Sequence, residues 1–212
     1  MTQKASRNVR AEATREAILT AAERLFAEQG ITVSNRQVSE AAGQGNNAAV
    51  GYHFGTKSDL VSAIIARHME PIERGRAHLV RSHRGSTNLR SWVSCMVLPI
   101  TDHLAALGNP TWYARFAAQV TTDPEFRPLL VHEISSQPLR ITLNQLAECT
   151  PHLTDDVREA RNSMARVLVT HGCAEFERYI NRSDADPTAS WERCGEQLVD
   201  AIVGMWSAPS ST

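Results

Sequence analysis

Along this chain apolar side chains recur at three- and four-residue spacing, and no stretch alternates in the manner of a strand. Between residues 11 and 29, Ile18, Ala21, Ala22, Leu25 and Phe26 form one stripe while Arg15, Glu16, Glu23, Arg24 and Glu28 fall elsewhere, which predicts an amphipathic helix ended by Gly30. Ser34 and Gln37 form a Ser-x-x-Gln capping box that starts a second helix, stopped by Gly43. Gly43-Gln44-Gly45 reads as a tight turn, and Asn46 or Asn47 as the cap of a third helix reaching about His53. Gly55 is a further stop. Thr56 with Asp59 repeats the capping logic and launches a fourth helix through Leu60, Val61, Ile64, Ile65 and Met69, with Pro71 and Gly75 as points of kinking or splitting.

Beyond it, residues 89–107, 110–120, 125–149, 154–179 and 188–206 read as helices, with Pro99 and Pro138 as interruptions. In the last two, Val157, Ala160, Met164, Val167, Leu168 and His171 share one face, as do Trp191, Cys194, Leu198, Ile202 and Met205. The pattern predicts an all-α fold: a three-helix domain over residues 1–65, then a larger helical bundle over residues 66–212.

A helix, a short glycine turn and a second short helix constitute a helix-turn-helix, whose second helix enters the major groove. Residues 47–53 span roughly 10 Å, which suits a groove about 12 Å wide. Gln44, Asn46 and Asn47 are amides suited to bidentate pairing with adenine, and Ala48 is small enough to meet a thymine methyl. Tyr52, His53 and Lys57 are candidate phosphate contacts, with a wedge between helices as the alternative for the two aromatic rings. Arg10, Arg15 and Ser34 complete the candidate DNA-binding set.

Composition changes this picture little. The 42% hydrophobic and 21% charged residues suit a soluble globular chain, and the net charge of -1 confines any basic footprint to local features. Lys4, Arg7 and Arg10, with no acid among residues 1–10, suggest a mobile arm along phosphates or a solvated tail. Cys95, Cys149, Cys173 and Cys194 are widely spaced, without a signal peptide, which points to reduced thiols in a cytoplasmic protein. No apolar run reaches a membrane span. The eight histidines show no His-x-x-x-His spacing, so no metal site is expected, nor any cofactor. Without a phosphate loop, a Gly-x-Ser-x-Gly elbow or a Cys-His constellation, an enzyme is not expected.

Several segments together resemble the TetR family of transcriptional regulators. Thr14-Arg15-Glu16-Ala17-Ile18-Leu19 with residues 21–30 is similar to the family's first helix, Val38-Ser39-Glu40-Ala41-Ala42-Gly43 to its second, and residues 52–60 (YHFGTKSDL) to its closing signature. Two departures stand out: nine residues separate Gly43 from His53, one more than the common pattern, and Gly51 stands where many members carry tyrosine. The resemblance implies a homodimer on double-stranded DNA, a carboxy-terminal bundle with a ligand cavity, and dimerisation through the last two helices. It also implies a repressor released from a pseudo-palindromic operator when an effector tilts the fourth helix. The alternative is an activator or DNA-organising protein of the same architecture with no small-molecule ligand.

For the pocket, Trp92, Met96, His103, Trp112, Tyr113 and Phe116 are candidates to line a site for a small apolar or amphipathic effector, or else core. For the dimer face the candidates are Met164, Leu168, His171, Trp191, Leu198, Ile202 and Met205. Arg161, Arg166, Glu175, Glu177 and Arg178 read as its rim or as a solvated face.

Overall fold

Side-chain caps divide this chain into its helices. The computed structural model describes residues 2–46, 48–133, 136–184 and 186–210, apart from the side chains of residues 2–7 and 131–133; within these limits it contains ten helices and no strand. They are α1 (Thr2–Gln29), α2 (Asn35–Ala41), α3 (Ala49–Phe54), α4 (Lys57–Ser82), α5 (Leu89–Ala106), α6 (Tyr113–Thr122), α7 (Arg127–Glu133), α8 (Gln137–Cys149), α9 (Asp155–Ile180) and α10 (Pro187–Ser207). Ser34, Thr56, Asn88, Ser136, Thr154 and Asp186 each accept a backbone N–H at a helix start, satisfying a donor the helix itself leaves open. Both expected capping boxes, at Ser34/Gln37 and Thr56/Asp59, are complete.

Several boundaries depart from the periodicity. α1 begins at Thr2, so the segment read as a mobile arm is helical; no glycine or proline occurs before Gly30 to break it. α3 begins at Ala49 with Ala48 as a cap that makes no side-chain bond; Asn46 Oδ1 instead accepts the Ala48 N–H at 2.9 Å, turning the chain ahead of the helix. Asn47 lies outside the described residues. α4 runs unbroken past Pro71 and Gly75 because its buried face of Leu60, Ile64, Ile65, Met69 and Ile72 contributes about 1.5–3 kcal/mol per side chain, more than the ~3 kcal/mol a proline costs. The stretch 125–149 is two helices, with Pro138 in the first turn of α8, where its missing N–H costs nothing.

α1 to α3 enclose a small core of Ile18, Ala22, Phe26, Val38 and Val50, closed by Leu60 at the root of α4. α4 carries the chain into the body, where α5 packs along α10, α6 along α9, and α7 and α8 against α4. At the α5/α10 crossing Gly195 permits the approach: a Cβ there would lie 2.6 Å from Thr101 Oγ1. Pro99, inside α5, deprives the Cys95 carbonyl of its usual donor, and Arg76 Nη1 of α4 replaces it at 2.6 Å while also reaching Met96 O at 3.0 Å. No helix among the described residues is long and apolar enough to cross a membrane.

Arg161 and Glu177, read from sequence as rim or solvated charges, are buried. Arg161 donates to the Trp206 and Ala208 carbonyls, both at 2.7 Å, and so closes the end of α10. Glu177 accepts from Thr111 Oγ1 (2.8 Å), the Ala114 and Arg115 N–H groups (both 3.1 Å) and Arg115 Nε (2.9 Å). A carboxylate of α9 thereby holds the amino end of α6, where the helix dipole favours negative charge.

Candidate functional site

The head presents one surface built by α2, the turn and α3. Gly43 takes φ +68, a conformation glycine adopts without a Cβ penalty, and reverses the chain between the helices. α3 buries Ala49 and Val50 and leaves Ala48, Gly51 and Tyr52 exposed on its other side, Tyr52 to 81%. Tyr52 meets His53 edge-on, with ring centroids 5.0 Å apart. Gln44 is half-buried with its amide donating to Ala42 O, and Asn46 and Ser34 are exposed beside this surface, the Ser34 hydroxyl occupied by its capping box.

The remaining head candidates are engaged elsewhere. Arg15 donates to the His53 carbonyl at 3.2 Å and lies 4.2 Å over the Phe54 ring, clamping α3 to α1. Arg10 is exposed farther along α1. Lys57 is half-buried, 5.7 Å over Phe26, and burial lowers its pKa while Glu125 and Asp123, from the loop between α6 and α7, oppose that shift.

In the body, α4 to α9 surround a cavity of about 400 Å³, with Ile72, Met96, Ile100, Leu104, Leu143 and Val169 on its walls. Of the six side chains considered for such a site, Met96 and Tyr113 line it. Trp92 is buried with its indole donating to Ser86 O at 2.9 Å, Phe116 faces Phe26 of α1 at 6.2 Å, Trp112 caps α6, and His103 stands behind the wall. Arg76 and Asn162, which line the cavity, were missed from the sequence because each lies in a helix whose facing partners are distant in the chain.

Between cavity and head runs a buried polar chain that periodicity did not reveal. His68 of α4 joins Glu23 Oε2 of α1 through Nε2 at 2.9 Å and His103 Nε2 of α5 through Nδ1 at 2.8 Å. Facing a carboxylate, Nε2 is the ring nitrogen that carries the proton and donates. Tyr113 stacks on His68 with centroids 3.8 Å apart, and burial, His68 and Arg67 push His103 down to about 4. The available sequence signal was a histidine inside the apolar stripe of α4. Glu23, assigned there to the polar side of α1, is 6% exposed.

The outer face of α9 leaves Met164, Val167, Leu168 and Tyr179 exposed, with His171 among them. Trp191, Leu198 and Ile202 of α10 are buried within the chain's own bundle beneath that face, and Met205 is half-buried. Cys173 of α9 and Cys194 of α10, far apart in sequence, neighbour each other across the two helices, and this proximity together with burial raises the Cys173 pKa.

A short exposed helix set by a glycine turn gives the head the form of a helix-turn-helix, joined to a hollow helical body. Residues 18–64 match the family described as bacterial regulatory proteins, tetR family. No curated protein matches the chain in sequence. Its fold is similar to that of PfmR, a TetR family transcriptional regulator from Thermus thermophilus, at 14% identity over 92% of this chain and 96% of that one, with a TM-score of 0.55. It is likewise similar to a transcriptional regulator (TerR/AcrR family) from Aquifex aeolicus, at 19% identity over 87% and 97% and a TM-score of 0.53. The fatty acid degradation regulator FadR from Bacillus halodurans gives 16% identity, the same coverages of 87% and 97%, and a TM-score of 0.52. Residues 18–64 thus match the amino-terminal domain of the tetR family, and the chain as a whole shares its fold with these solved structures.

Proposed function

We propose that the protein works as a homodimeric repressor that leaves a pseudo-palindromic operator when a small apolar or amphipathic molecule enters the cavity. The observation that carries this reading is the double role of α6. Tyr113, Ala114, Ala117 and Thr121 line the cavity, while Phe116 of the same helix packs on Phe26 of α1. A molecule that displaces α6 therefore acts on the head directly through Phe116 and, by way of His68 on α4, through the Tyr113–His68–Glu23 stack. Such coupling is worth typically about 1–3 kcal/mol, or roughly 5- to 150-fold in operator affinity.

In this reading residues 1–65 are the DNA-binding head and residues 66–212 the effector and dimerisation body, joined by the continuous α4. Ala48, Gln44 and Asn46 meet the groove, with Tyr52, His53, Lys57, Ser34, Arg10 and Arg15 at or behind the phosphate rim. The exposed apolar side chains of α9 supply the isologous surface of a two-fold dimer, with α10 beneath them.

Selection of bound sequences from random duplex DNA tests the proposal, combined with sedimentation of the wild type and of Leu168→Glu. We expect an enriched pseudo-palindrome with half-sites about one helical turn apart, and loss of both dimer and operator binding in Leu168→Glu. Enrichment of no sequence would sink the regulator reading, and a stable wild-type monomer on a single half-site would sink the dimer.

A further inference from the structure

The polar groups left over on the cavity wall constrain the molecule it takes. Arg76 is 3% exposed and spends Nε on Glu73 (2.8 Å) and Nη1 on two carbonyls, yet its Nη2 has no partner among the described residues. Tyr113 Oη likewise has no hydrogen-bond partner among the described residues, and burial raises its pKa, so it stays a neutral phenol. Asn162 Oδ1 is buried without a partner. Such a group is costly to leave unmade and cheap for a ligand to complete.

The charges on the wall have one predominant sign. Among the described residues, exposed Arg127, half-buried Arg166 and buried Arg76 line the cavity against the single carboxylate of exposed Glu159, and Arg127 and Arg166 form no ion pair. Glu73 beside Arg76 is occupied: its other oxygen accepts from Ser136 of α8. A cationic guest would meet three guanidinium groups and one exposed carboxylate, and a pure hydrocarbon would leave three polar groups unmet.

We infer that the cavity takes an amphipathic organic acid, its apolar body among Ile72, Met96, Ile100, Leu143 and Val169 and its carboxylate accepting from Arg76, with Tyr113 and Asn162 available to a further oxygen function. The volume of about 400 Å³ falls within the range for compact organic ligands. Arginine suits this task because its guanidinium stays charged and offers a planar edge to a carboxylate. The inference rests on the cavity being the effector site.

Calorimetric titration of the full-length protein with decanoate, decanol and decylamine separates the classes, each also tested for release of the selected operator. We expect decanoate to bind at least about tenfold tighter than decanol, and decylamine weakest. The double variant Arg76→Met/Glu73→Gln, which removes the charge without leaving Glu73 an unpaired carboxylate, though it frees the Cys95 carbonyl, should erase the preference for the acid while decanol binding stays. Should that variant fail to fold, Arg127→Gln/Arg166→Gln, at the less buried part of the wall, should reduce the preference severalfold. Equal binding of acid and alcohol, tighter binding of the amine, or a preference untouched in both variants overturns the acid assignment. If decanol binds and releases DNA without any advantage for decanoate, the effector site survives and the ligand class fails. If none of the three binds or releases DNA, the inference fails, and release by an unrelated compound that Tyr113→Ala abolishes would keep the effector site.

Discussion

The head and the body of this molecule treat their polar side chains in opposite ways. In the head, hydroxyls and amides stay at the surface and satisfy neighbours two or three residues away: Ser34 with Gln37, Asn46 with Ala48, Thr56 with Asp59. In the body, charged groups go inside and find partners far along the chain, as Glu177 does with Thr111 and Arg115, and Arg161 with Trp206. The head is therefore a locally specified surface. The body is held by buried ions whose removal strands a partner. Glu23 is the head's exception, a buried carboxylate bonded to His68, and it occurs where the two regions meet.

This contrast is breakable, and the largest effect should come from Glu177→Ala. Losing the carboxylate leaves Arg115 and the first N–H groups of α6 without their acceptor, at a cost of about 3–5 kcal/mol in urea unfolding. A change below about 1 kcal/mol would show that the body does not depend on buried ions. Gly195→Ala should cost about 1–2 kcal/mol, because the new methyl meets Thr101, a short β-branched side chain fixed by its bond to Leu98 O, and helix propensity returns only part of the loss.

Acid provides the next test. The unfolded chain takes up a proton on His103 near 6.5, whereas the folded protein resists it down to about 4. The associated stability is thus complete above the unfolded value and is lost as pH falls from 6.5 toward about 4. Allowing for the ring's partial exposure, it amounts to about 1–2 kcal/mol. His103→Gln should flatten that part of the profile when urea midpoints are compared across it; an unchanged slope would assign acid sensitivity to other groups.

Gly51→Ala sharpens the comparison from the other side. A Cβ there meets nothing within 4 Å, so helix propensity alone should raise stability by about 0.5–1 kcal/mol. Tyr52→Ala should move stability by less than about 0.5 kcal/mol, given the exposure of its ring, while weakening binding to the selected operator. A large stability loss in this variant would return Tyr52 to a packing role.

The head was legible from sequence because its signals are local. Capping boxes, turn glycines and one amphipathic stripe all act within four residues, and the two boxes are found at their expected positions. The start of α3 was misread for the same reason: two adjacent asparagines offer a cap equally well, and Asn46 uses its side chain to turn the chain before the helix begins. Where partners are distant the reading weakened. Trp92 and Phe116 have the composition of pocket residues, yet a bond to Ser86 and contact with Phe26 take them elsewhere.

Sequence alone determined that the chain is helical and that a helix-turn-helix opens it, since these depend on spacing and on groups a few residues apart. Only the tertiary structure decided that α6 faces both cavity and head, that Glu23 meets His68, and that Arg76, Tyr113 and Asn162 share one wall. Those facts depend on which faces of distant helices come together, and periodicity identifies a face without naming what it meets.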